Sequence, residues 1–280
     1  MIKLNGEIVL SEKFPNNETK VKDKLDVKTE NILELKYESD EDLILLMFVK
    51  KELDLYTHQK THLFIWYMPY SRMDRKIEGD VFTLQHVSEF FGWLDFESIC
   101  VMEPHSEATI KELSASSEYY NGYYNIKDIY PACDWLEEVK KEIGFTKNDH
   151  VVFPDKGAAA RYKDKGYENV CVMEKKRDPY NGRIITMDLK DGYVNPDAKC
   201  IIIDDLCSRG GTFALTANIL KAKGAGEIYL IVTHCEKTIF EGTLLDEHSN
   251  IKKIYTSTSM MAEEHPKICY MDVDVRKYIK

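Results

Sequence analysis

The sequence predicts an α/β protein with two tandem domains, each a mainly parallel sheet flanked by helices. Short continuous apolar runs alternate with segments in which apolar residues recur every three or four positions. Strands without a polar face are typical of parallel sheets that are covered on both sides. A chain of 280 residues is long enough for two domains of ordinary size. We place the boundary in the polar middle of the chain and predict domains at 1–127 and 128–280.

In the first half of the chain, the apolar runs Asp42–Val49 and His62–Tyr67 each predict a buried strand. A helix follows, because four apolar residues keep a period of 3.6: Leu84, Val87, Phe91 and Leu94. Ile99–Met102 predicts another short strand. The polar, aromatic segment Ser114–Tyr130 then predicts a connection between the two domains.

In the second half, Leu136, Val139 and Ile143 predict a helix that ends at Gly144. Four apolar runs then predict strands: Val151–Phe153, Val170–Met173, Lys199–Ile203 and Ile228–Thr233. A helix from Thr212 to Lys223 lies between the last two strands. Parallel sheets bind ligands beyond the carboxyl ends of their strands, so we expect the site in the loops there.

Composition excludes several classes of function. With 38 basic and 48 acidic residues the net charge is −10, and such a chain is expected to bind neither nucleic acid nor a membrane surface. No apolar run approaches the roughly 20 residues of a membrane-spanning helix, and the first residues lack the apolar core of a signal peptide. We therefore expect a cytoplasmic protein.

The seven cysteines are scattered without a C-x-x-C pair, which predicts buried reduced thiols rather than zinc or disulfides.

The segment Cys200–Thr212 is the most informative motif. A hydrophobic strand is followed by two adjacent acids, and a Gly-Gly turn then opens a helix at Thr212. Backbone N–H groups at such a helix terminus bind phosphate, and the acids can reach sugar hydroxyls and a metal. A plain strand-to-helix turn is the alternative interpretation. The predicted sugar-phosphate site comprises Asp204, Asp205, Ser208, Arg209, Gly210, Gly211 and Thr212.

This segment resembles the phosphoribosyl-diphosphate-binding loop of phosphoribosyltransferase-like proteins, and the chain as a whole resembles the ribose-phosphate pyrophosphokinases. Further matches follow in the same order as in that family. They are the ATP-site stretch (Tyr67–Arg75), the loop whose histidine helps to hold Mg²⁺ (Glu103–Glu107), the Ser-Pro-Asp-x-Gly-Gly loop (Val151–Arg161) and the Lys-x-Arg pair of a mobile catalytic loop (Lys175–Arg177). A looser match, Phe14–Glu18, resembles the loop that a neighbouring subunit offers to adenine.

The resemblance implies a Mg²⁺-dependent transfer of the β,γ-diphosphate of ATP to the anomeric C1 hydroxyl of ribose 5-phosphate, with release of AMP. It implies Mg²⁺ on His105 and Asp155, catalysis by Lys175 and Arg177, and a homo-oligomer, either a dimer or a hexamer. Cations suit the charge that develops on a transferring phosphoryl group, and forked guanidinium donors suit phosphate oxygens. The implied ATP-binding residues are Phe14, Asn16, Glu18, Arg72, Asp74, Arg75 and His105.

Departures from the family pattern leave the acceptor open. Ser208 and Arg209 stand where the family loop has an acid and a threonine, which changes the local charge by +2, and Asn16 stands where the adenine loop has an acid. Arg209 could serve an acceptor whose 5′-phosphate is esterified, such as ADP-ribose, which would connect the protein to NAD metabolism; it could equally face solvent or pair with a surface acid. The resemblance also implies that His234, after its strand, lies near the sugar. A phosphoribosyltransferase and a non-catalytic synthetase subunit remain as alternatives from other classes.

Overall fold

The computed structural model describes residues 1–22, 24–56, 58–122, 125–162, 167–177 and 184–279. The chain divides into two compact units. The first comprises Met1–Tyr130 together with Asp274–Lys280, and the second comprises Pro131–Val273. The return of the last residues to the first unit is a feature that the sequence analysis did not predict.

A mainly parallel sheet forms the centre of the first unit. The strands of this unit within the described residues are β1 (Ile2–Leu4), β2 (Glu7–Ile8), β3 (Ser11–Lys13), β4 (Thr19–Val21), β5 (Glu30–Leu35), β6 (Lys60–Ile65), β7 (Ser98–Met102) and β8 (Asn125–Ile129). The sheet has the order β2-β1-β5-β6-β7-β8, and β5 to β8 are parallel. β3 and β4 form a separate antiparallel hairpin. The predicted strands near 62–67 and 99–102 are confirmed.

The strand predicted at Asp42–Val49 is wrong, because this segment lies in helix α1 (Glu41–Leu53). Asp42, in the first turn of the helix, accepts hydrogen bonds from the backbone N–H groups of Glu38 and Ser39 just before it, as an acid in the first turn does in a capping box. The apolar residues Ile44 and Phe48 lie on the exposed face. They make the run continuously apolar and conceal the helical period of the buried face.

The segment predicted to connect the domains is also regular structure. It contains the second half of helix α3 (Glu107–Asn121) and strand β8 of the first sheet. Helix α3 packs against α2 (Thr83–Leu94), the helix that the sequence predicted. A Cβ added to Gly92 of α2 would lie 3.0 Å from the backbone of Ser116. Such a close approach needs small residues, so the polar sequence reflects close helix packing rather than a linker.

The second unit contains a seven-stranded sheet within the described residues. Its strands are β9 (His150–Phe153), β10 (Val170–Arg177), β11 (Ile184–Asp191), β12 (Cys200–Cys207), β13 (Ile228–Cys235), β14 (Ile251–Thr256) and β15 (Ile268–Tyr270). The order is β11-β10-β9-β12-β13-β14-β15, and β11 runs antiparallel to β10. The helices are α4 (Pro131–Glu142), α5 (Lys156–Tyr162) and α6 (Gly211–Ala222), and a 3₁₀ helix covers Lys237–Glu241. A last helix, α7 (Val275–Ile279), belongs to the first unit.

The predicted fold class is confirmed, since mainly parallel sheets flanked by helices form both units. Strand β12 lies at the centre of the second sheet because Ile201, Ile202 and Ile203 are fully buried. Five of the seven cysteines are buried and all seven are free thiols, as predicted. Among the described helices, none has the length and apolar character needed to cross a membrane.

Candidate active site

Two acids and an arginine form a nearly buried cluster in the second unit. The sequence predicted that strand β12 ends before the acids. The strand instead continues through Asp204 and Asp205 to Cys207. Nη1 of Arg161, on helix α5, lies 3.0 Å from Oδ1 of Asp204 and 3.0 Å from Oδ1 of Asp205. Burial raises the pKa of Asp204 well above its usual value, the charge of Asp205 raises it further, and Arg161 opposes both. The arginine therefore stabilises the ionised form of the pair.

Asp155 lies between strand β9 and helix α5 and contacts Lys175. Its Oδ1 accepts the backbone N–H of Ala158 at 2.9 Å, and its Oδ2 accepts Nζ of Lys175 at 2.5 Å. Burial raises the pKa of Asp155, but the hydrogen bonds from Lys175 and Ala158 outweigh it, and the net pKa lies below the usual value. Two predicted site residues that are 20 positions apart thus form one ion pair.

The predicted mobile loop around Lys175 has a different local structure. Lys175 lies within strand β10 and is paired with Met187 of β11. The loop was expected from the resemblance alone, whereas the charged residues lie in the antiparallel pair β10–β11 at the edge of the sheet. Arg177 is the last residue of β10, and its side chain lies outside the described residues.

The loop between β12 and α6 contains the Gly-Gly turn. Gly210 has φ +78°, a left-handed conformation that glycine adopts without strain, and α6 begins at Gly211. Thr212, half-buried, is in the first turn of α6. The N–H groups of this turn have no partner within the helix and can bind an anion.

Two residues of the segment after β13 form hydrogen bonds with side chains of this loop. Ser208 Oγ lies 3.0 Å from Oγ1 of Thr238, and the guanidinium of Arg209 donates two hydrogen bonds to Oε2 of Glu241. A Cβ added to Gly242 would collide with the carbonyl oxygen of Arg209. Arg209 therefore pairs with a surface acid, the alternative considered for it from the sequence.

In the first unit, the ATP-type motif follows strand β6. Arg72 and Arg75 are exposed and Asp74 is half-buried. The Nε of Arg72 donates to the hydroxyl of Tyr67 at 3.4 Å, and Tyr70 has a left-handed φ of +61°. Tyr70 and Tyr37 both donate hydroxyl hydrogen bonds to Asp40 Oδ1, at 2.5 and 2.6 Å, which fixes this unusual turn.

His105 follows β7, the strand beside β6, and precedes α3. Because β6 and β7 are parallel, His105 and the Arg72–Arg75 loop lie at the same edge of the first sheet. His105 is half-buried. Among the described residues, no group of three or more His, Cys, Asp or Glu side chains forms a ready-made metal site.

The residues expected to contact adenine, Phe14, Asn16 and Glu18, lie in the turn between β3 and β4. The backbone N–H of Phe14 donates to the carbonyl of Glu18 at 2.9 Å, and the N–H of Glu18 donates to Oδ1 of Asn16 at 3.3 Å. The ring of Phe14 is 47% exposed. An exposed aromatic ring at a hairpin tip is available for stacking on a planar ligand.

No family model matches this chain. Curated relatives match most of it. The ribose-phosphate pyrophosphokinase of Sulfolobus acidocaldarius is 29% identical over 242 residues, which are 84% of this chain and 77% of the relative. That of Pyrococcus abyssi is 28% identical over 98% of this chain and 90% of the relative. That of Pyrococcus furiosus is 30% identical over 70% of this chain and 66% of the relative.

This chain is a divergent member of the ribose-phosphate pyrophosphokinase family. A solved structure supports the fold: phosphoribosylpyrophosphate synthetase from Mycobacterium smegmatis has a TM-score of 0.71 over 94% of this chain and 85% of its own, at 14% identity. The predicted family and the predicted phosphoribosyltransferase-like fold are both confirmed, and the family is one of transferase enzymes.

In this member of the ribose-phosphate pyrophosphokinase family, the sequence did not reveal the contact of Arg161 with the acids, and the strand before His234 was predicted to end too early. Arg161 is the last residue of the Val151–Arg161 motif, but the acids that it contacts lie on strand β12, 43 or more positions along the chain. His234 does not follow strand β13 as predicted; it lies within it, fully buried, with Nδ1 2.9 Å from Oγ of Ser259. A histidine can continue this buried strand because the hydroxyl of Ser259 forms a hydrogen bond with its ring inside the core.

Proposed function

We propose that this protein is a diphosphokinase that transfers the β,γ-diphosphate of ATP to the anomeric C1 hydroxyl of ribose 5-phosphate. The hydroxyl oxygen attacks the β-phosphorus, the bond between the β-phosphorus and the bridging oxygen breaks, and AMP leaves with that oxygen. The hydroxyl proton passes to solvent. The observation that carries the proposal is the acid pair Asp204–Asp205 directly before a glycine turn and a helix N-terminus, in a chain whose relatives are named ribose-phosphate pyrophosphokinases.

Asp204 and Asp205 would accept hydrogen bonds from the ribose hydroxyls, since an ionised carboxylate only accepts. The backbone N–H groups between Ser208 and Thr212 would bind the 5′-phosphate at the start of α6. This division of work fixes both ends of the sugar. Fixing the acceptor in this way lowers the entropy cost of reaching the attack geometry.

Lys175 would stabilise the charge that develops on the transferring diphosphate, together with Arg177. Arg72 and Arg75 would bind the nucleotide phosphates, with Asp74 in the same loop. Phe14, Asn16 and Glu18 would contact adenine from a neighbouring subunit, so the proposal includes a homo-oligomer. A non-catalytic subunit would be expected to lose such residues, and this chain keeps Lys175 beside Asp155.

The carboxylate of Asp155 fits a magnesium-dependent reaction, because Mg²⁺ binds one or two carboxylates and otherwise waters and substrate phosphates. We assign Asp155, in the second unit, as a residue that would bind Mg²⁺, and the family resemblance assigns the same role to His105 in the first unit. When bound, Mg²⁺ would neutralise phosphate oxygens and orient the triphosphate. Oδ1 of Asp155 accepts the N–H of Ala158 and Oδ2 accepts Nζ of Lys175, so binding the ion would require Lys175 to move from the carboxylate toward the substrate phosphates.

The proposal is tested by incubating the protein with ATP, Mg²⁺ and ribose 5-phosphate and identifying the products by mass. AMP and a diphosphorylated ribose phosphate should form in equal amounts, and EDTA should stop the reaction. The variant Asp204→Asn/Asp205→Asn should form neither product, whereas Lys156→Met, a change at the surface of helix α5, should resemble the wild type. ADP as the sole nucleotide product would contradict diphosphoryl transfer.

A second acceptor, ADP-ribose, is favoured by one observation. Arg209 is a cation in the loop proposed to bind the 5′-phosphate, and its side chain is 71% exposed. A second phosphate esterified to the first would bring additional anionic oxygens toward such a guanidinium. The same assay with ADP-ribose as acceptor decides between the two, because the products differ in mass.

A further inference from the structure

Arg161 joins two neighbouring carboxylates that would otherwise repel each other. The three side chains are 11%, 13% and 6% exposed for Arg161, Asp204 and Asp205, respectively. One nitrogen, Nη1, bonds to both Oδ1 atoms. Two nearly buried carboxylates in contact need a compensating positive charge to remain ionised together. Within the second unit, the guanidinium opposes the repulsion between the two acids, but only in part, because the pKa of Asp204 still lies above its usual value owing to burial and the charge of Asp205.

The position of Arg161 is fixed by the packing of helix α5. Tyr162, the next residue, is fully buried. Its ring stacks on the ring of Phe153 in strand β9, with 6.0 Å between the ring centroids and 13° between the ring planes. Strand β9 pairs directly with β12, which carries the acids. Both partners of the charge contact are therefore held by core elements, so the guanidinium is pre-positioned against the acids.

We propose that Arg161 is a positioning residue that takes the place of a metal ion at the acid pair, so that Asp204 and Asp205 bind sugar hydroxyls without a divalent cation. The inference rests on the proposed function for its ligand. A Mg²⁺ ion binds oxygens at about 2.0–2.1 Å and would compete with Nη1 for the same carboxylates. Hydroxyl donors carry no net charge, so they can use the carboxylate lone pairs that Nη1 leaves free without the repulsion that a divalent cation would meet from the guanidinium.

The first test uses Mn²⁺ alone and requires no substrate. Bound Mn²⁺ is counted by the loss of the free-ion electron paramagnetic resonance signal. Arg161→Met removes the charge and should bind one Mn²⁺ more than the wild type, and adding Asp204→Asn/Asp205→Asn should remove that ion. Arg161→Lys keeps a cation and should bind as many ions as the wild type. Thermal unfolding checks that each variant is folded.

Two results of this titration would overturn the inference. One is an Arg161→Met variant that folds but gains no Mn²⁺. The other is a wild-type protein that loses a bound Mn²⁺ when Asp204→Asn/Asp205→Asn is introduced, because the acids would then already hold a metal beside Arg161. The second comparison does not depend on the folding of any Arg161 variant.

The second test measures ribose 5-phosphate binding by calorimetry in EDTA and in Mg²⁺. The wild type should bind in both, whereas Arg161→Met should bind about tenfold or more weakly in EDTA, the loss expected for charge-assisted hydrogen bonds, and should recover most of its affinity in Mg²⁺. Wild-type binding that strictly requires Mg²⁺ would overturn the role of Arg161 but not the acceptor. Absence of wild-type binding in both conditions would instead contradict the proposed function, and the Mn²⁺ counts would still judge Arg161.

Discussion

Lys175 and Asp155 form an ion pair in which Nζ lies 2.5 Å from Oδ2. Their side chains are 17% and 26% exposed, so the pair is partly withdrawn from water. The other carboxylate oxygen accepts the N–H of Ala158 in the first turn of α5. One carboxylate thus begins a helix and holds the amine that we propose acts on the transferring diphosphate. The importance of this pair can therefore be tested by measurements of both stability and kinetics.

Acid should weaken the folded state through Asp155. Its folded-state pKa lies below the unfolded value of about 3.9. The stabilisation is therefore present above about pH 4 and is lost as the pH falls through the folded pKa. Lys175→Met removes the largest cause that lowers this pKa, so the midpoint of acid unfolding should move to higher pH. Circular dichroism between pH 6 and pH 2 measures that midpoint.

Lys156→Met provides the matched control for this measurement. Lys156 pairs with Glu174 at 2.6 Å, but the two side chains are 64% and 41% exposed. Exposed ion pairs contribute little to stability. The control should therefore shift the acid midpoint much less than Lys175→Met. Equal shifts in the two variants would show that Asp155 has no special weight in acid stability.

The kinetic role of Lys175 is a separate prediction. If its amine stabilises charge that is present only in the transition state, Lys175→Ala should lower kcat roughly 10²–10³-fold, the range for removing one such donor. KM for ATP should change much less, because ground-state binding does not depend on that charge. Steady-state kinetics with AMP as the measured product decides. A variant with normal kcat and a raised KM would place Lys175 in ground-state binding of ATP.

The chain pattern predicted the fold class and the sugar-phosphate loop because both are local signals. The run of isoleucines before Asp204 and the Gly210–Gly211 turn are contiguous, and each has a direct structural consequence. Helix α1 was mistaken for a strand because Ile44 and Phe48 are apolar on its exposed face. A hydrophobic pattern predicts burial, so it fails where apolar side chains are left exposed.

The contacts within the site could not be predicted in the same way. Arg161 and Asp204 are 43 positions apart, and Arg209 and Glu241 are 32 apart. Which cation meets which acid depends on the order of the strands in the sheet, and that order is not encoded in any short segment. The sequence identified the residue types of the site, whereas the pairing of charges required the three-dimensional structure.

The close approach of Gly242 to the sugar-phosphate loop gives a third prediction. A methyl group at this position would collide with the carbonyl oxygen of Arg209, a backbone atom that can move only if the loop moves. Overpacking typically costs about 1–3 kcal/mol, so Gly242→Ala should lower Tm by several degrees. It should also weaken ribose 5-phosphate binding, because the proposed phosphate-binding N–H groups shift with the loop.

Gly211→Ala separates these two effects. Nothing lies within 4 Å of a Cβ added at Gly211, so Tm should stay within about 1–2 °C of the wild type. Because the N–H groups around Gly211 are proposed to bind the 5′-phosphate, the added methyl group should still weaken ribose 5-phosphate binding measured by calorimetry. If Gly211→Ala lowered Tm as much as Gly242→Ala, the close approach of Gly242 would not explain the loss of stability.

The last prediction concerns the choice of acceptor. Ser208 and Arg209 are the positions at which this loop departs from the family pattern, and both side chains contact the segment after β13. A carboxylate at position 208 would repel a second phosphate, whereas the guanidinium at 209 would attract one. Ser208→Asp/Arg209→Thr should therefore reduce kcat/KM with ADP-ribose, by about 1.5–3 kcal/mol for each charge-assisted bond lost, and should spare ribose 5-phosphate.

Glu241→Gln is the companion variant because it changes the availability of Arg209 without altering the loop itself. Oε2 of Glu241 accepts both hydrogen bonds from that guanidinium, and the pair is exposed to solvent. A neutral amide holds Arg209 less strongly, so use of ADP-ribose should increase if Arg209 serves the second phosphate. Both acceptors should be assayed in parallel by product mass. Equal losses on the two acceptors in the double variant, together with no change in Glu241→Gln, would remove Arg209 from acceptor recognition and leave it as a surface ion pair.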